Sequence, residues 1–153
     1  MVQFQLFQNL TKEELVLVLE WRNQSEVRKW MNTKEPITLD QHLQFVSELR
    51  RDIKRAAFLV KEVSRNMGVI QLNDIQGRKV FDMGMYADPT LIKSGAGLRL
   101  GFYGAQYLFK EMDFVSLSFI ALKENEGAQT LWRVLGIKRR SETQEGLILG
   151  QLH

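Results

Sequence analysis

Short apolar and alternating runs predict the strands of this chain. Alternation of apolar and polar residues marks a strand with one buried face, and a short continuous apolar run marks a strand buried on both faces. Such runs cover residues 1–7, 57–60, 69–72, 80–86, 114–122, 137–141 and 146–152. The runs between 57 and 86 are joined by short turns, so we expect an antiparallel meander of three strands, and the last two runs predict a terminal hairpin.

Four helices are predicted between these strands. The first two begin at capping boxes, in which an N-cap threonine is followed three residues later by Glu or Gln: Thr11 with Glu14, and Thr38 with Gln41. The third helix follows a glycine-containing loop at 90–97, and the fourth ends at Gly136. Helical spacing places one set of apolar residues on a single face of the third helix: Leu98, Phe102, Ala105 and Phe109.

The composition is that of one ordinary globular domain. The 153 residues suffice for a single domain spanning 1–153, with 44% hydrophobic and 25% charged residues. The net charge of +3 is too small for a nucleic-acid-binding signature but suits a small acidic ligand. The sequence contains no signal-peptide pattern and no membrane-length apolar run, so we expect a cytoplasmic protein.

The residue types exclude several chemistries. The absence of cysteine excludes disulfides, thiolate catalysis and cysteine-based metal sites. The only histidines are His42 and His153, and neither has a second ligand at metal spacing, so no metal site is expected. His42 fits a buried hydrogen-bonded residue, a surface residue or a substrate contact, and the first two are favoured.

The stretch from residue 80 to residue 109 contains a pattern suited to anion binding. Asp88-Pro89 ends a strand, and the turn Lys93-Ser94-Gly95-Ala96-Gly97 then opens a helix. Glycines allow close backbone approach, the first N–H groups of a helix lack intrahelical partners, and Lys93 adds a positive charge. The alternative is a glycine-rich turn that only begins a helix.

A second cluster of tryptophans and cations lies between residues 21 and 31. Taken singly, a tryptophan on an amphipathic helix is usually part of the core, and a surface cation is usually solvated. Taken together, aromatic rings interleaved with arginines favour a wall for a flat, phosphorylated ligand.

Two motifs in the second half of the chain resemble the GCN5-related N-acetyltransferases (GNATs). One is the strand–loop–helix around Gly95-Ala96-Gly97, and the other is Asn125-x-x-Ala128-x-x-Leu131-Trp132-x-x-x-Gly136-Ile137. The resemblance implies an α+β fold with a mixed, mostly antiparallel central sheet, helices on both faces, and acetyl-CoA as the cofactor. The implied cofactor contacts are Met85, Tyr86, Lys93, Ser94, Gly95, Ala96, Gly97 and Asn125.

The first half resembles the nucleotide-sugar branch of the same family, through segments 19–23, 27–31 and 37–45. That branch acetylates the 4-amino group of a UDP-linked 4-amino-4,6-dideoxy sugar on the way to pseudaminic acid, a sugar that decorates flagellin. The implied substrate contacts are Arg22, Arg28, Met31, His42 and Phe45. The expected partners are the small nucleotide-sugar substrate and, as one option, a second copy of the chain in a homodimer; neither a nucleic acid nor a membrane is expected.

Three departures from the family pattern bear on the chemistry. Ile92 replaces the Arg or Gln of the phosphate loop, and Ile120 replaces a glutamate on the fifth strand. Trp132 replaces the tyrosine that protonates the departing thiolate, and an indole N–H is a hydrogen-bond donor but no acid at neutral pH. The expected catalytic residues are Tyr86, Trp132 and His42, with Glu124 and Ser118 as further candidate proton carriers.

Two alternative functions stay open at this point. A peptide or ribosomal-protein N-acetyltransferase of the same superfamily shares the Trp-Arg-Asn start, and a catalytically degenerate acyl-CoA-binding module would keep the fold without the reaction. The basic character of 22–29 favours a phosphorylated acceptor over a basic peptide tail.

Overall fold

All residues from 1 to 153 are described by the structure, a computed structural model. Seven strands form one sheet: β1 (Val2–Leu6), β2 (Ala56–Glu62), β3 (Arg65–Gln76), β4 (Lys79–Ala87), β5 (Ser116–Leu122), β6 (Lys138–Glu142) and β7 (Leu147–Leu152). Their order across the sheet is β1-β2-β3-β4-β5-β7-β6. Every neighbouring pair is antiparallel except β4 and β5, which are parallel. The predicted meander and terminal hairpin are both confirmed.

The chain has five α-helices: α1 (Lys12–Asn23), α2 (Ser25–Arg28), α3 (Leu39–Leu49), α4 (Ala96–Lys110) and α5 (Glu126–Leu135). The capping boxes at Thr11 and Thr38 are both present, with each threonine hydroxyl accepting from the backbone three residues on. Helices α1 and α3 pack over one face around Val18, Trp21 and Val46. Helices α4 and α5 pack over the other face, so the predicted α+β layering is confirmed.

The buried face of α4 differs from the predicted one. Leu98 and Phe102 are 41% and 57% exposed, whereas the helix buries a face made largely of small residues. That face consists of Ala96, Leu100, Gly101, Gly104 and Leu108. A Cβ added at Gly104 would overlap Ile70 of β3, and one at Gly101 would lie 2.7 Å from Leu135 of α5. The glycines therefore let α4 approach both the sheet and α5, which hydrophobic periodicity alone does not reveal.

The centre of the sheet is split between its two parallel strands. β4 and β5 pair only at Lys79–Ser116 and Val80–Leu117. Beyond that point β4 pairs only with β3, up to Ala87, and β5 pairs only with β7, up to Leu122. The backbone groups of β4 that face β5 along residues 81–87 thus have no strand partner and are free to bind a ligand.

No helix of this chain combines the length and the apolar character that crossing a bilayer requires.

Candidate active site

The loop after β4 ends in a left-handed glycine that starts α4. Residues Pro89–Ser94 form a 3₁₀ turn, Gly95 has φ of +79°, and α4 begins at Ala96. This φ strongly favours glycine, because other residues meet a steric penalty there. A Cβ at Gly97 would find nothing within 4 Å, so the first turn of α4 borders open space. The loop thus presents unpaired helix-start N–H groups to a space that can hold an anion.

An arginine inside α4 holds this loop in place. Arg99 donates through Nη1 to the Ser94 carbonyl at 2.7 Å, and through Nε and Nη2 to the Glu62 carboxylate at 3.0 and 3.1 Å. The Tyr103 hydroxyl donates to the same carboxylate at 2.5 Å. Arg99 first, and then Tyr103, hold the pKa of Glu62 below its usual range. No sequence pattern joins Glu62 to Arg99, because 37 residues separate them.

The remaining loop residues divide into exposed and structural groups. The Lys93 side chain is exposed and forms no ion pair, so its charge is available to a ligand. The Ser94 hydroxyl donates to the Leu91 carbonyl at 2.7 Å and so stabilises the turn. Ala96 is fully buried, so its side chain packs in the core and only its backbone borders the site.

Two predicted residues from the second motif have structural roles in α5. The Asn125 side chain caps the helix, its Oδ1 accepting from Ala128 N at 3.0 Å. Trp132 is 6% exposed and belongs to the main core. Its ring lies 6.3 Å from that of Phe119 and covers Gly150 of β7. This position gives Trp132 a structural role in packing on the sheet, and its catalytic role stays a prediction.

Met85 and Tyr86 lie on the unpaired part of β4 but point to opposite faces. The Met85 sulfur lies next to Gly101 of α4, whereas Tyr86 packs at the edge of the core cluster under α1 and α3. Burial raises the pKa of Tyr86, with the Arg22 charge opposing the rise. The Tyr86 hydroxyl therefore stays protonated at neutral pH and can donate a hydrogen bond, but it cannot act as a base.

Arg22 lies beside Tyr86 at the end of α1. Its Nη2 donates to the Thr33 carbonyl at 2.8 Å, while its Nη1 is sealed from solvent and has no partner. Burial lowers the pKa of Arg22, although an arginine keeps its charge in proteins. An unpartnered charged donor is costly, and a ligand oxygen would relieve that cost once the groups that cover this nitrogen moved aside.

Two side chains hold the loop between α2 and α3. Arg28 was predicted to bind substrate, and Asn23 had no predicted role. Arg28 donates to the carbonyls of Asn23 and Lys34 at 2.9 and 3.2 Å. The Asn23 side chain brackets Ile37, donating to its carbonyl and accepting from its N–H, both at 2.8 Å. These two bonds make Arg28 a loop-stabilising residue, and its contact with substrate stays a prediction. Met31 lies half-buried in the same loop.

His42 and Phe45 share one side of α3 but have different surroundings. His42 is 6% exposed, its Nε2 is 3.0 Å from the Leu15 carbonyl, and its ring packs edge-on against Phe7. Burial lowers the pKa of His42, so it is neutral at pH 7 and holds α1 against α3. The structure therefore gives His42 a structural role, and its catalytic and substrate roles stay predictions. Phe45 is half-buried near the same cluster edge as Tyr86, with the Arg55 guanidinium 5.4 Å above its ring.

The profile of the acetyltransferase (GNAT) domain family matches residues 6–138 of this chain. The chain belongs to this family. As a GNAT acetyltransferase it is an N-acetyltransferase that uses acetyl-CoA as its acyl donor. The residues fit that donor, because the Gly95–Gly97 helix start offers a cradle for a pyrophosphate and the split beside Met85 offers unpaired backbone groups.

Two acetyltransferases named PseH from Campylobacter jejuni subsp. jejuni are similar to this GNAT chain in sequence. Each is 30% identical over 133 residues, which is 87% of this chain and 82% of the relative. The crystal structure of C. jejuni N-acetyltransferase PseH with acetyl coenzyme A superposes with a TM-score of 0.82 at 23% identity, covering 99% of this chain and 98% of that one. The Vibrio cholerae spermidine N-acetyltransferase with CoA and spermine gives 0.83 at 14% identity, covering 98% and 92%. At these identities the structural matches show the shared fold.

Proposed function

We propose that this GNAT enzyme acetylates the 4-amino group of a UDP-linked 4-amino-4,6-dideoxy sugar, as in pseudaminic-acid-type biosynthesis. The observation that carries the proposal is the sealed, unpartnered Nη1 of Arg22 beside Tyr86. A buried charged N–H donor without an acceptor costs about 1–3 kcal/mol or more, and phosphate or sugar oxygens of a ligand are suited to supply that acceptor. The similarity to PseH supports this class of acceptor.

Donor and acceptor bind on opposite faces of the split between β4 and β5. On the α4 side the helix start at Ala96 and Gly97, with Lys93, binds the pyrophosphate of the donor. When bound, acetyl-CoA supplies a thioester carbonyl that an amine can attack. On the other side Arg22 binds the acceptor, Tyr86 donates a hydrogen bond to it, and Phe45 with Met31 contacts its uracil. The orientation of the amine provides much of the acceleration.

The test compares a UDP-linked amino sugar with the free amino sugar as acceptors. We expect the wild type to prefer the nucleotide-linked sugar, and Arg22→Met to lose roughly 1–3 kcal/mol of that preference, which is about 5- to 150-fold in the kcat/KM ratio. Methionine retains an apolar stem, so the change removes mainly the charge. The matched control is Arg28→Met: because Arg28 binds two backbone carbonyls, this variant should lower the melting temperature and leave the ratio unchanged.

If the wild-type enzyme shows no preference for the nucleotide-linked sugar, or prefers a peptide amine, the sugar proposal is wrong. The protein would then be a peptide or ribosomal-protein N-acetyltransferase. Absence of free-thiol release with any amine would favour a degenerate acyl-CoA-binding module. A cytoplasmic location and flagellin as the destination of the sugar belong to the same proposal. They are tested by locating the protein in fractionated cells and by the loss of flagellin glycan when its gene is deleted.

A further inference from the structure

A carboxylate outside the sequence motifs, Asp82, lies on the face of β4 that packs beneath α1 and α3. Met83 is buried under α4 and Met85 lies against Gly101, so both point to the α4 face. Side chains alternate along a strand, so Asp82, Gly84 and Tyr86 point to the opposite face. This is the face on which Tyr86 packs beneath α1 and α3.

The position of Asp82 is set by the split in the sheet. The last pair between β4 and β5 is Val80–Leu117, so Asp82 lies two residues beyond it, at the closed end of the split. Next to it on the same face, a Cβ at Gly84 would meet nothing within 4 Å. Asp82 therefore lies beside an open space on the unpaired part of β4, on the same face as Tyr86 and four residues before it.

The surroundings of Asp82 are polar but offer no cation. Its cross-strand neighbour on β3 is Asn73, which accepts from Gln71 at 3.3 Å. None of the seven ion pairs of the protein includes Asp82, although the residue is half-buried. On β5 the neighbouring side chains of this face are the uncharged Ser116 and Ser118. A half-buried carboxylate without a cation costs stability, and such groups concentrate at functional sites.

The titration of Asp82 agrees with this geometry. Burial raises the pKa of Asp82 above its usual range, the Asp74 carboxylate on β3 raises it further, and the Asn73 amide opposes the rise. A carboxylate with a raised pKa is a better proton acceptor near neutral pH than an ordinary one. The other candidates are less suitable, because His42 is bound to Leu15 and the Tyr86 hydroxyl stays protonated.

We propose that Asp82 is the general base of the acetyl transfer, in place of the carboxylate that Ile120 does not supply. An Asp82 oxygen takes a proton from the acceptor ammonium, directly or through one water. The freed nitrogen lone pair then forms the C–N bond, and the C–S bond of the thioester breaks with its electron pair on sulfur. The second amine proton neutralises the thiolate, and Asp82 returns its proton to solvent. The identity of the amine rests on the proposed function, but the role of Asp82 does not.

The experiment measures kcat/KM against pH on the best amine found for the wild type among the UDP-amino sugar, the free sugar, a peptide and spermidine. We expect Asp82→Asn to lower kcat by roughly 100-fold or more and to remove the acidic limb of the profile. It should leave calorimetric acetyl-CoA affinity unchanged and the melting temperature equal or higher. The control Asp74→Asn should keep kcat within about twofold and move the acidic limb to lower pH, because Asp74 raises the pKa of Asp82.

Chemical rescue separates a base from a structural residue. Asp82→Gly should regain activity in proportion to added formate, whereas chloride at equal ionic strength should not restore it. A loss of less than about threefold in Asp82→Asn with the acidic limb intact, or the absence of rescue, would overturn the assignment. The choice of amine tests the proposed function, and the ratio of variant to wild type on that amine tests Asp82. A wild type that acetylates no amine would overturn both.

Discussion

Trp132 fills the space that a side chain at residue 150 would need. A Cβ added at Gly150 would lie 2.9 Å from Cε3 and Cζ3 of the Trp132 ring and 2.7 Å from Ile137 Cγ2. We therefore expect Gly150→Ala to lower the free energy of unfolding by about 1–3 kcal/mol through overpacking. Urea denaturation measures this change. Gly127→Ala, where the nearest atom lies 3.6 Å from the added Cβ, should be neutral or stabilising.

Trp132→Tyr tests whether the same ring has a chemical role. The smaller ring leaves space over Gly150, so we expect a loss of about 1–2 kcal/mol of stability with kcat little changed. Stability and steady-state kinetics on one protein preparation measure both quantities. A fall in kcat of more than about tenfold, or roughly 1.4 kcal/mol of transition-state stabilisation, would support the predicted catalytic role of Trp132.

Gly97→Val should block the donor cradle. The position opens on empty space, so a valine fits the fold but occupies the room that the pyrophosphate needs. We expect acetyl-CoA affinity in calorimetry to fall by about tenfold or more, roughly 1.4 kcal/mol. The control is Gly127→Val. Gly127 is the second residue of α5, as Gly97 is of α4, and this change should leave the acetyl-CoA affinity unaltered. Equal affinities for the two variants would remove this loop from the donor site.

Arg99→Met should loosen the loop without destroying the fold. Its ion pair with Glu62 is partly exposed, so it contributes little to stability, but it fixes the Ser94 carbonyl. We expect the KM for acetyl-CoA to rise about tenfold with kcat at saturation nearly constant, and Glu62→Gln to give a smaller effect in the same direction. Arg139→Met, which breaks an ion pair on the remote strand β6, should leave KM unchanged.

His42 predicts a loss of stability in mild acid. Burial lowers the pKa of His42 below the ordinary histidine value of about 6.5, so below about pH 6.5 the unfolded chain binds a proton that the folded protein does not bind. The stability conferred by neutral His42 is complete above that pH and is lost as the pH falls towards the folded pKa. The steepest loss for one such proton is about 1.4 kcal/mol per pH unit. Melting curves from pH 8 to pH 5 should show this slope in wild type and His153→Gln, and a shallower slope in His42→Gln.

Local signals were predictable from the sequence, and contacts between distant segments were not. The capping boxes at Thr11 and Thr38 were correct because both partners lie within one turn of a helix. The prediction of the buried face of α4 was wrong because glycines form part of that face. There the helix backbone packs directly against Ile70, and no large apolar side chain marks the contact in the sequence.

The candidate site shows the same division. The turn around Gly95 has a local pattern, so its conformation and the helix start were predictable. The hydrogen bonds of Arg28 and His42 to backbone carbonyls depend on how separate segments pack together. No residue spacing in the sequence predicts them. Asp82 was missed because a single acidic residue in a strand has no motif until the split beside it is known.

The split between β4 and β5 also bears on the order of events in turnover. A gap in a sheet is open on both faces, so the donor on the α4 side and the acceptor on the Tyr86 side need not displace one another. The chain has no cysteine that could hold the acetyl group as a covalent thioester between release of CoA and binding of the acceptor. On the proposed function, both substrates are bound at once, and double-reciprocal plots of initial velocity intersect instead of running parallel.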